Sequence, residues 1–322
     1  MNPATYRKDL TAQIIRQLET GTAPWQKPWN PDLAPLHGTP HNAMTERPYH
    51  GGNQLWLTCQ GYADPRWCTY RQAKEQGWQV RKGEHSTAIE YWQWSERQKD
   101  EAGKFVEVKL DQPRVFYANV FNASQMENVP EARPVSLQWQ PEEAAERILV
   151  ASRADIRYDK TDTAFYSPRH DTIHLPPKVM FSDAQAFYGV ALHELGHWSG
   201  HPSRLNRDLA HRFGSEGYAR EELRAELASF FVASRLGIQH DPGQHAAYVD
   251  SWIKALQEDH NEIFRAAKDA EKITEFVLAF QQERTQHQDI TAVETATRSS
   301  EMFGSPKSGP VRQSKKEVEL EC

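Results

Sequence analysis

The sequence has few cysteines and no long apolar run. Its three cysteines, Cys59, Cys68 and Cys322, form no CxxC pair, which argues against a thiolate metal site and favours a reducing compartment. No stretch approaches the ~20 apolar residues that span a bilayer, and the N-terminus lacks the apolar core of a signal peptide. These absences predict a cytoplasmic protein with no membrane partner.

An excess of positive charge is also missing. The 322 residues carry 38 Lys and Arg against 44 Asp and Glu, a net charge of −6. Residues 1–130 are nearly neutral, with 15 basic and 14 acidic side chains, whereas residues 131–284 hold 18 and 24. A nucleic-acid surface in the first part would therefore need local clusters of cations rather than bulk charge.

Composition divides the chain into four parts. Seven of the ten tryptophans lie before residue 95, within a first part of residues 1–130. This part mixes helical patterns with alternating, strand-like ones. The proline-containing stretch 131–143 is typical of a linker, and residues 144–284 are mainly helical in pattern. The polar tail, residues 285–322, is expected to be disordered. The fold class predicted is α+β, with a small N-terminal α+β domain followed by a mainly helical domain.

Individual elements can be placed from periodicity and capping. In the first part, "YRKDLTAQIIRQLETG" and "TYRQAKEQG" predict helices, "TAIEYWQW" and "KFVEVKL" paired strands, and "RVFYANVFNASQ" a further strand. In the second part, "TAFYSPRHDTIHLP" predicts two short strands around a turn. A helix is expected from Ser182, with Gln185 in the capping-box position. Further helices are expected near 216–236, 244–258 and 261–282.

The motif that carries chemistry is "VALHELGHWSGHP". His193 and His197 are four residues apart, so on a helix both imidazoles can face one ion. Glu194 then lies beside the position where a zinc ion would hold water, as in metallopeptidases where a glutamate is the general base. The competing interpretation is a chance arrangement on a buried helix. Two histidines and a glutamate would be costly there without a partner, because the surrounding segment is apolar.

A third ligand is needed, and "YAREELRAELASFFVASRLG" offers carboxylates on one helix. Glu222 and Glu226 are four residues apart. We expect Glu222 to bind the metal and Glu226 to orient a ligand histidine, while Glu221 is expected on a solvated face. His201 and His211 are alternative ligands that the spacing does not eliminate.

Two histidines, one carboxylate and an open position form a catalytic zinc site rather than a structural one, because structural sites close all four positions. The expected cofactor is therefore Zn²⁺, and the expected activity is that of a metallopeptidase. The strand "DTIHLP" could serve as an edge to which an extended peptide substrate adds.

These residues carry a resemblance to a known family. The chain resembles the ArdC-type antirestriction proteins of conjugative plasmids, and the N-terminal part of TraC-type primases, over residues 1–284. The motifs are "APWQKPW", "RPYHGGNQLWL", "RWCTYRQAKEQGWQVRKGEHS" and "VFNASQ" in the first part. In the second part they are "SPRHDTIHLP", "HELGHWSGHPSRLNRD" and "YAREELRAELASFF".

The resemblance implies a front domain that binds single-stranded DNA without sequence preference and a zincin-like metallopeptidase domain behind it. It also implies a role in shielding incoming plasmid DNA from restriction, and it assigns the ligand position to Glu222 and the supporting position to Glu226.

Single-strand binders combine cations that follow phosphates with aromatic rings that stack on bases. In the first part, Lys27, Arg81 and Lys82 are the candidate phosphate contacts. About half of the tryptophans are expected to be core instead. The remaining candidate DNA contacts are Trp25, Trp29, Trp67, Tyr70 and Arg71.

Two other functions stay open at this stage. The chain could be a regulatory metalloprotease whose first domain recognises protein, or a DNA-binding protein with a structural metal and no turnover. Binding to DNA distinguishes an antirestriction factor from a regulatory metalloprotease. Cleavage of a peptide pool excludes a DNA-binding protein without turnover.

Overall fold

The computed structural model describes residues 5–20, 23, 25, 39–99, 103–131, 141–160, 163–212, 214–238 and 248–281. Within them, helices and strands are mixed, which confirms the α+β class. Most of the expected linker, the tail after residue 281, Lys27 and Trp29 lie outside the described residues. Among the described residues, no helix has the length and apolar composition needed to cross a bilayer.

The first part of the chain is organised around a four-stranded sheet in the order β1-β2-β5-β4 and a two-stranded sheet, β3-β6. The helices and strands are α1 (Tyr6–Glu19), β1 (His41–Asn42), α2 (Gly51–Thr58), β2 (Arg66–Thr69), α3 (Tyr70–Glu75), β3 (Gln79–Val80), β4 (Thr87–Lys99), β5 (Phe105–Asn122) and β6 (Met126–Glu127).

Strands β4 and β5 form one long antiparallel hairpin. Both "TAIEYWQW" and "KFVEVKL" are strands of this hairpin, but their expected pairing with each other is wrong: residues 87–93 pair with residues 114–120, and residues 95–99 pair with residues 105–109. The separate strand expected over "RVFYANVFNASQ" is the continuation of β5, which runs unbroken from Phe105 to Asn122. A register shift between Gln93 and Ser95 absorbs the interruption in the sequence pattern. A bulge of this kind lets a strand continue through residues that break its alternation.

The second part places helices against a small sheet in the order β7-β9-β8. The elements are α4 (Pro141–Ser152), β7 (Asp155–Arg157), β8 (Phe165–Ser167), β9 (Thr172–His174), α5 (Ala184–Trp198), α6 (Glu216–Leu236), α7 (Val249–Glu258) and α8 (residues 262–281).

The ends of α5 and α6 have identifiable chemical causes. Helix α5 is capped by Asp183, whose carboxylate accepts the Ala186 N–H at 2.8 Å, so the cap lies one residue beyond the expected Ser182. Helix α6 begins after Ser215 and ends at Gly237, which adopts the left-handed conformation with φ 73°. The expected bounds of α6 are confirmed.

The described residues up to Gln281 form one compact unit. Leu10, Ile14 and Leu18 of α1 are buried in the same core as Leu223 and Leu227 of α6. The first helix therefore contributes to the core that holds the second part of the chain, and the domain boundaries expected from composition remain a prediction.

Glu271 of α8 connects three separate segments. Its carboxylate accepts hydrogen bonds from Arg235 and from the Gly51 N–H (3.2 Å), and it lies 3.0 Å from His50 Nδ1. Burial alone would raise the pKa of Glu271, but His50 and Arg235 outweigh it and lower that pKa to about 2. The ionised carboxylate therefore ties the N-terminus of α2 to α6 and α8.

We expect Glu271→Gln to lower the free energy of unfolding at pH 7 by roughly 2–3 kcal/mol. Because the folded-state pKa is depressed, this contribution is complete above the ordinary pKa of glutamate. It disappears as the pH falls through about 2. Urea unfolding at pH 7 and at pH 3 measures the difference, with exposed Glu275→Gln on the same helix as the control. An equal effect at both pH values would contradict the assignment.

Candidate metal centre

Two packed helices, α5 and α6, bring the predicted ligands together. His193 and His197 are one turn apart on α5, and both are largely buried. Gly196 lies between them and faces Ala225 of α6, where an added Cβ would make an ordinary contact at 3.6 Å. Helix α5 packs against α6 along this line, and the packing places Glu222 opposite the histidine pair.

The geometry of the three side chains fits a tetrahedral ion. His193 Nε2 lies 3.1 Å from His197 Nε2, and each of these nitrogens is 3.5 Å from a Glu222 oxygen. A tetrahedron with metal–ligand bonds of 2.0–2.1 Å has edges of about 3.3–3.4 Å. His193, His197 and Glu222 therefore form a preorganised three-ligand set.

The charges of the cluster are consistent with this assignment. Burial opposes a positive charge on either ring, but the surrounding carboxylates raise the pKa of His193 well above its ordinary value and that of His197 to about 9. In the opposite sense, the two imidazoles outweigh burial and hold the pKa of Glu222 well below its usual range. A metal that binds here near neutral pH must displace protons from the rings.

A carboxylate supports each ligand histidine. Glu226 Oε2 lies 3.7 Å from His193 Nδ1, and Glu221 Oε1 lies 3.3 Å from His197 Nδ1. The expectation that Glu221 lies on a solvated face is wrong. It is 7% exposed and accepts two hydrogen bonds from Arg207, at 2.7 and 3.2 Å.

Sequence reasoning missed Arg207 as well as Glu221, because its role depends on a loop that folds back onto α5. Arg207 also donates to the Gly196 carbonyl at 2.7 Å and to Ser199 Oγ at 2.8 Å. The guanidinium thus fixes Glu221 and the C-terminal end of α5 together. No local sequence pattern indicated this; only the proximity of Arg207 to the motif could have suggested it.

Trp25 belongs to this support and not to an exposed surface. It is fully buried, and its indole N–H donates to Glu226 Oε1 at 3.2 Å. The expectation that Trp25 contacts DNA is therefore wrong, because its ring packs inside the common core, 6.1 Å from that of Trp252. A residue of the first part of the chain fixes a carboxylate that faces a metal ligand.

We expect Trp25→Phe to weaken metal binding by about 10-fold, the low end of the effects of residues that orient ligands. Affinity for single-stranded DNA should be unchanged. Trp67→Phe is the matched control, because Trp67 is also buried but belongs to a separate cluster with Leu57 and Val120. Competition with a chromogenic chelator measures the affinity. A comparable loss of metal in both variants would show a general packing effect instead.

A cleft of about 280 Å³ opens onto the three ligands. Glu194 lies on its wall, is 6% exposed, and its Oε2 has no hydrogen-bond partner among the described residues. Burial raises the pKa of Glu194. A buried carboxylate oxygen that faces a cleft beside three ligands is available to a water molecule or a substrate. The cleft residues that face it from other elements include Tyr166, His211, Tyr218 and Tyr248.

The short sheet borders the cleft through β8. Phe165 and Tyr166 of β8 line the cleft, and β8 lies at one edge of the sheet. The strand expected to be the edge, within "DTIHLP", is β9, which pairs on both sides with β7 and β8. The edge that an extended peptide could join beside the metal is therefore β8 and not β9.

The alternative ligands are placed differently. His201 pairs with Ser203 Oγ at 2.8 Å. His211 lines the cleft and lies 3.5 Å from Asp208. Neither belongs to the three-residue ligand cluster found among the described residues.

The predicted DNA contacts within the described residues differ in how exposed they are. Trp67 is 1% exposed and packs in the sheet, so it offers no face to a base. Lys82, Tyr70 and Arg71 are exposed, although Arg71 pairs with Glu75 at 2.9 Å. Arg81 donates to the Ser124 carbonyl and to Glu84 Oε1, so much of its hydrogen-bonding capacity is used within the protein.

Comparison with known proteins defines the class of the chain. Residues 4–143 match the N-terminal domain of the anti-restriction factor ArdC, and residues 143–269 match a zincin-like metallopeptidase. The chain is thus an ArdC-type N-terminal domain joined to a zincin-like metallopeptidase domain.

Similar proteins identify the family. The crystal structure of the antirestriction protein ArdC from the R388 plasmid is 36% identical, with a TM-score of 0.68. The match covers 86% of this chain and 98% of that one. A Mn(II)-bound structure of the same protein matches equally well. Uncharacterized protein y4eC of Sinorhizobium fredii is 35% identical over 89% of this chain and 96% of its own length. The chain belongs to the ArdC family of antirestriction proteins, and its zincin-like domain together with the histidine–carboxylate cluster indicates a divalent metal.

Two DNA primases named TraC, both from Escherichia coli, are 54% and 52% identical to the chain. The matches cover 88% and 87% of this chain but only 28% and 20% of the primases. The chain therefore spans about a quarter of the length of these relatives.

Proposed function

We propose that the protein binds single-stranded DNA without sequence preference and protects incoming conjugative plasmid DNA from restriction. We further propose that its second part is a zinc-dependent peptidase. The observation that carries the enzymatic half is the preorganised cluster of His193, His197 and Glu222 beside the buried carboxylate of Glu194. The DNA-binding half is supported by membership of the ArdC family.

Zinc is the metal that this donor set favours. Two imidazole nitrogens and one carboxylate at tetrahedral spacing suit Zn²⁺, whereas magnesium and calcium prefer oxygen ligands in larger shells. When bound in such a site, zinc supplies Lewis acidity toward a carbonyl oxygen and lowers the pKa of water.

The residues around the metal centre have separate tasks in this proposal. Glu194 accepts a proton from water and can return it to the leaving amine. Glu221 and Glu226 hold the ligand imidazoles in orientation. The β8 edge positions an extended peptide along the cleft through backbone hydrogen bonds.

The test of the DNA-binding half uses the full-length chain, because α1 is buried against helices of the second part. Binding to oligothymidylate is compared with binding to a duplex of equal length between about 50 and 200 mM salt. We expect tighter binding to the single strand, because stacking needs unpaired base faces. A shallow salt slope is expected from the near-neutral first part. Equal affinity for duplex, or no binding at low salt by folded protein, would contradict the proposal.

A further inference from the structure

The β4–β5 hairpin extends beyond the sheet from which it starts. Strand β2 pairs with β5 only at residues 120–122, whereas β4 and β5 remain paired as far as Lys99 and Phe105. Among the described residues, the outer part of the hairpin has no third strand. Residues 91–99 of β4 correspond to roughly 30 Å of extended chain at about 3.3 Å per residue.

This outer part is unusually apolar for an exposed element. Eight of the sixteen large exposed hydrophobic side chains among the described residues lie in residues 91–99 and 105–116, which make up this outer part. Tyr91 is 59% exposed, Phe105 62% and Phe116 45%. Concentration of exposed apolar side chains in one element indicates a binding surface, because scattered single residues are the norm.

The two faces of the hairpin carry different chemistry. Side chains alternate along a strand, and directly paired residues share a face. Tyr91 pairs with Phe116, Ser95 with Lys109, Arg97 with Glu107, and Lys99 with Phe105. One face therefore has aromatic rings at both ends and cations between them. We call it the cationic–aromatic face and define it by Tyr91, Arg97, Lys99, Phe105, Lys109 and Phe116.

The opposite face is mainly apolar, and its one carboxylate among the paired residues, Glu96, forms a salt bridge with Arg114. It carries the stacked rings of Trp92 and Trp94, which are 6.3 Å apart, together with Val106, Val108 and the carboxylate of Glu96. Beyond the bulge, the cations that have no carboxylate directly opposite, Lys99 and Lys109, lie on the cationic–aromatic face, where Glu107 is the only carboxylate among the described pairs.

Hairpin stability explains only part of this pattern. Tyr91 and Phe116 lie directly opposite each other with ring centroids 6.3 Å apart, and such cross-strand pairs stabilise an antiparallel ribbon. Arg97 lies opposite Glu107, and such a pair of opposite charges also stabilises a hairpin. However, Lys99 and Lys109 have no carboxylate directly opposite them, so these two cations do not follow from hairpin stability. Lys99 Nζ lies 5.3 Å from the Phe105 ring centroid, a mixture of cation and ring suited to a phosphate chain with bases.

We propose that the cationic–aromatic face is the surface on which this protein binds single-stranded DNA. Bases stack on Tyr91, Phe105 and Phe116 while Arg97, Lys99 and Lys109 contact phosphates, a combination that tolerates any sequence. The assignment rests on the proposed single-strand binding. This assignment places the main DNA contact on the hairpin and not on the Arg81–Lys82 loop, because the Arg81 guanidinium is already bonded to Ser124 and Glu84.

The test measures fluorescence anisotropy of labelled oligothymidylate of about 20 nucleotides with full-length variants. We expect Tyr91→Ala with Phe105→Ala to weaken binding by at least about 10-fold, from lost stacking. Lys99→Ala with Lys109→Ala should also weaken it and reduce the salt slope by about 1.4, since each phosphate contact contributes about 0.7. Val106→Ala with Val108→Ala, on the opposite face, is the matched control and should bind within about two-fold of the wild type.

The outcomes separate this inference from the proposed function. If the wild-type protein fails to bind the oligonucleotide, single-strand binding itself is refuted. If the wild type binds and both the aromatic and the lysine variants bind equally well, the surface assignment is overturned. A control variant that loses as much affinity as they do also overturns it. Metal content and thermal midpoint establish that each variant is folded. If the aromatic variant does not fold, the lysine variant still tests the assignment.

Discussion

Purified wild-type protein is expected to carry close to one divalent metal ion per chain, and His193→Ala close to none. Removing one nitrogen from a three-ligand site should lower the metal affinity by more than about 10- to 100-fold, which is the loss typical of residues that only orient ligands. Glu222→Ala should produce a loss of the same order as His193→Ala. The reason is its distance of 3.5 Å to both imidazoles, which no other carboxylate in the described part matches.

The supporting carboxylates should rank below the ligands. Glu226→Gln and Glu221→Gln are each expected to weaken binding by about 10- to 100-fold, because they contact the outer nitrogens of His193 and His197. Glu216→Gln is the control, since Glu216 lies on the same helix but is exposed. Atomic absorption and chelator competition give content and affinity. A greater loss in Glu226→Gln than in Glu222→Ala would exchange their roles.

The metal centre could be predicted from sequence to the extent that its residues are neighbours on helices. The spacing of His193 and His197 follows from helical periodicity, and the next acidic helix along the chain offers Glu222 at a distance that suits a loop and a returning helix. The structure brings these three side chains together. The sequence could not show that Glu221 is buried. Glu221 and Glu222 are adjacent glutamates on α6, and only the segments packed against each of them distinguish their roles. The residue that faces Glu221, Arg207, comes from an irregular loop.

Long-range packing explains the errors in the first part of the chain. Trp25 was expected on a DNA surface because it stands beside Lys27, yet its partner Glu226 is 201 positions away in the sequence. No local pattern encodes such a contact. The hairpin shows a second limit. The alternating pattern predicts its strands, but the exposure of its aromatic residues depends on where β2 stops pairing with β5, which the sequence does not reveal.

The joint core of the two parts also changes which experiments are informative. A fragment of residues 1–130 would expose Leu10, Ile14 and Leu18, which the intact chain buries in a core shared with α6 and α7. Loss of about three large apolar side chains from a core costs several kcal/mol, enough to unfold a small domain. Failure of such a fragment to bind DNA would therefore carry no information about the intact protein.

Glu194→Gln is expected to abolish peptide hydrolysis while leaving the metal in place. Glutamine has the shape of glutamate but cannot accept a proton at neutral pH, so the rate should fall by about 10²- to 10⁴-fold, the usual contribution of a general base. Metal affinity should change little, because Glu194 is not among the three ligand residues. Cleavage of a peptide pool followed by mass spectrometry, with metal content measured on the same samples, tests both expectations.

Three results would separate the possible roles of Glu194. If Glu194→Gln loses metal as severely as His197→Ala, Glu194 acts as a ligand and the assignment of the base is wrong. If the metal-loaded wild type cleaves no peptide, the peptidase proposal fails and single-strand binding must be judged alone. If Glu194→Gln loses hydrolysis but binds oligothymidylate like the wild type, the two activities use separate surfaces. We expect this last result, because Glu194 is buried on α5 whereas the cationic–aromatic face is built from β4 and β5.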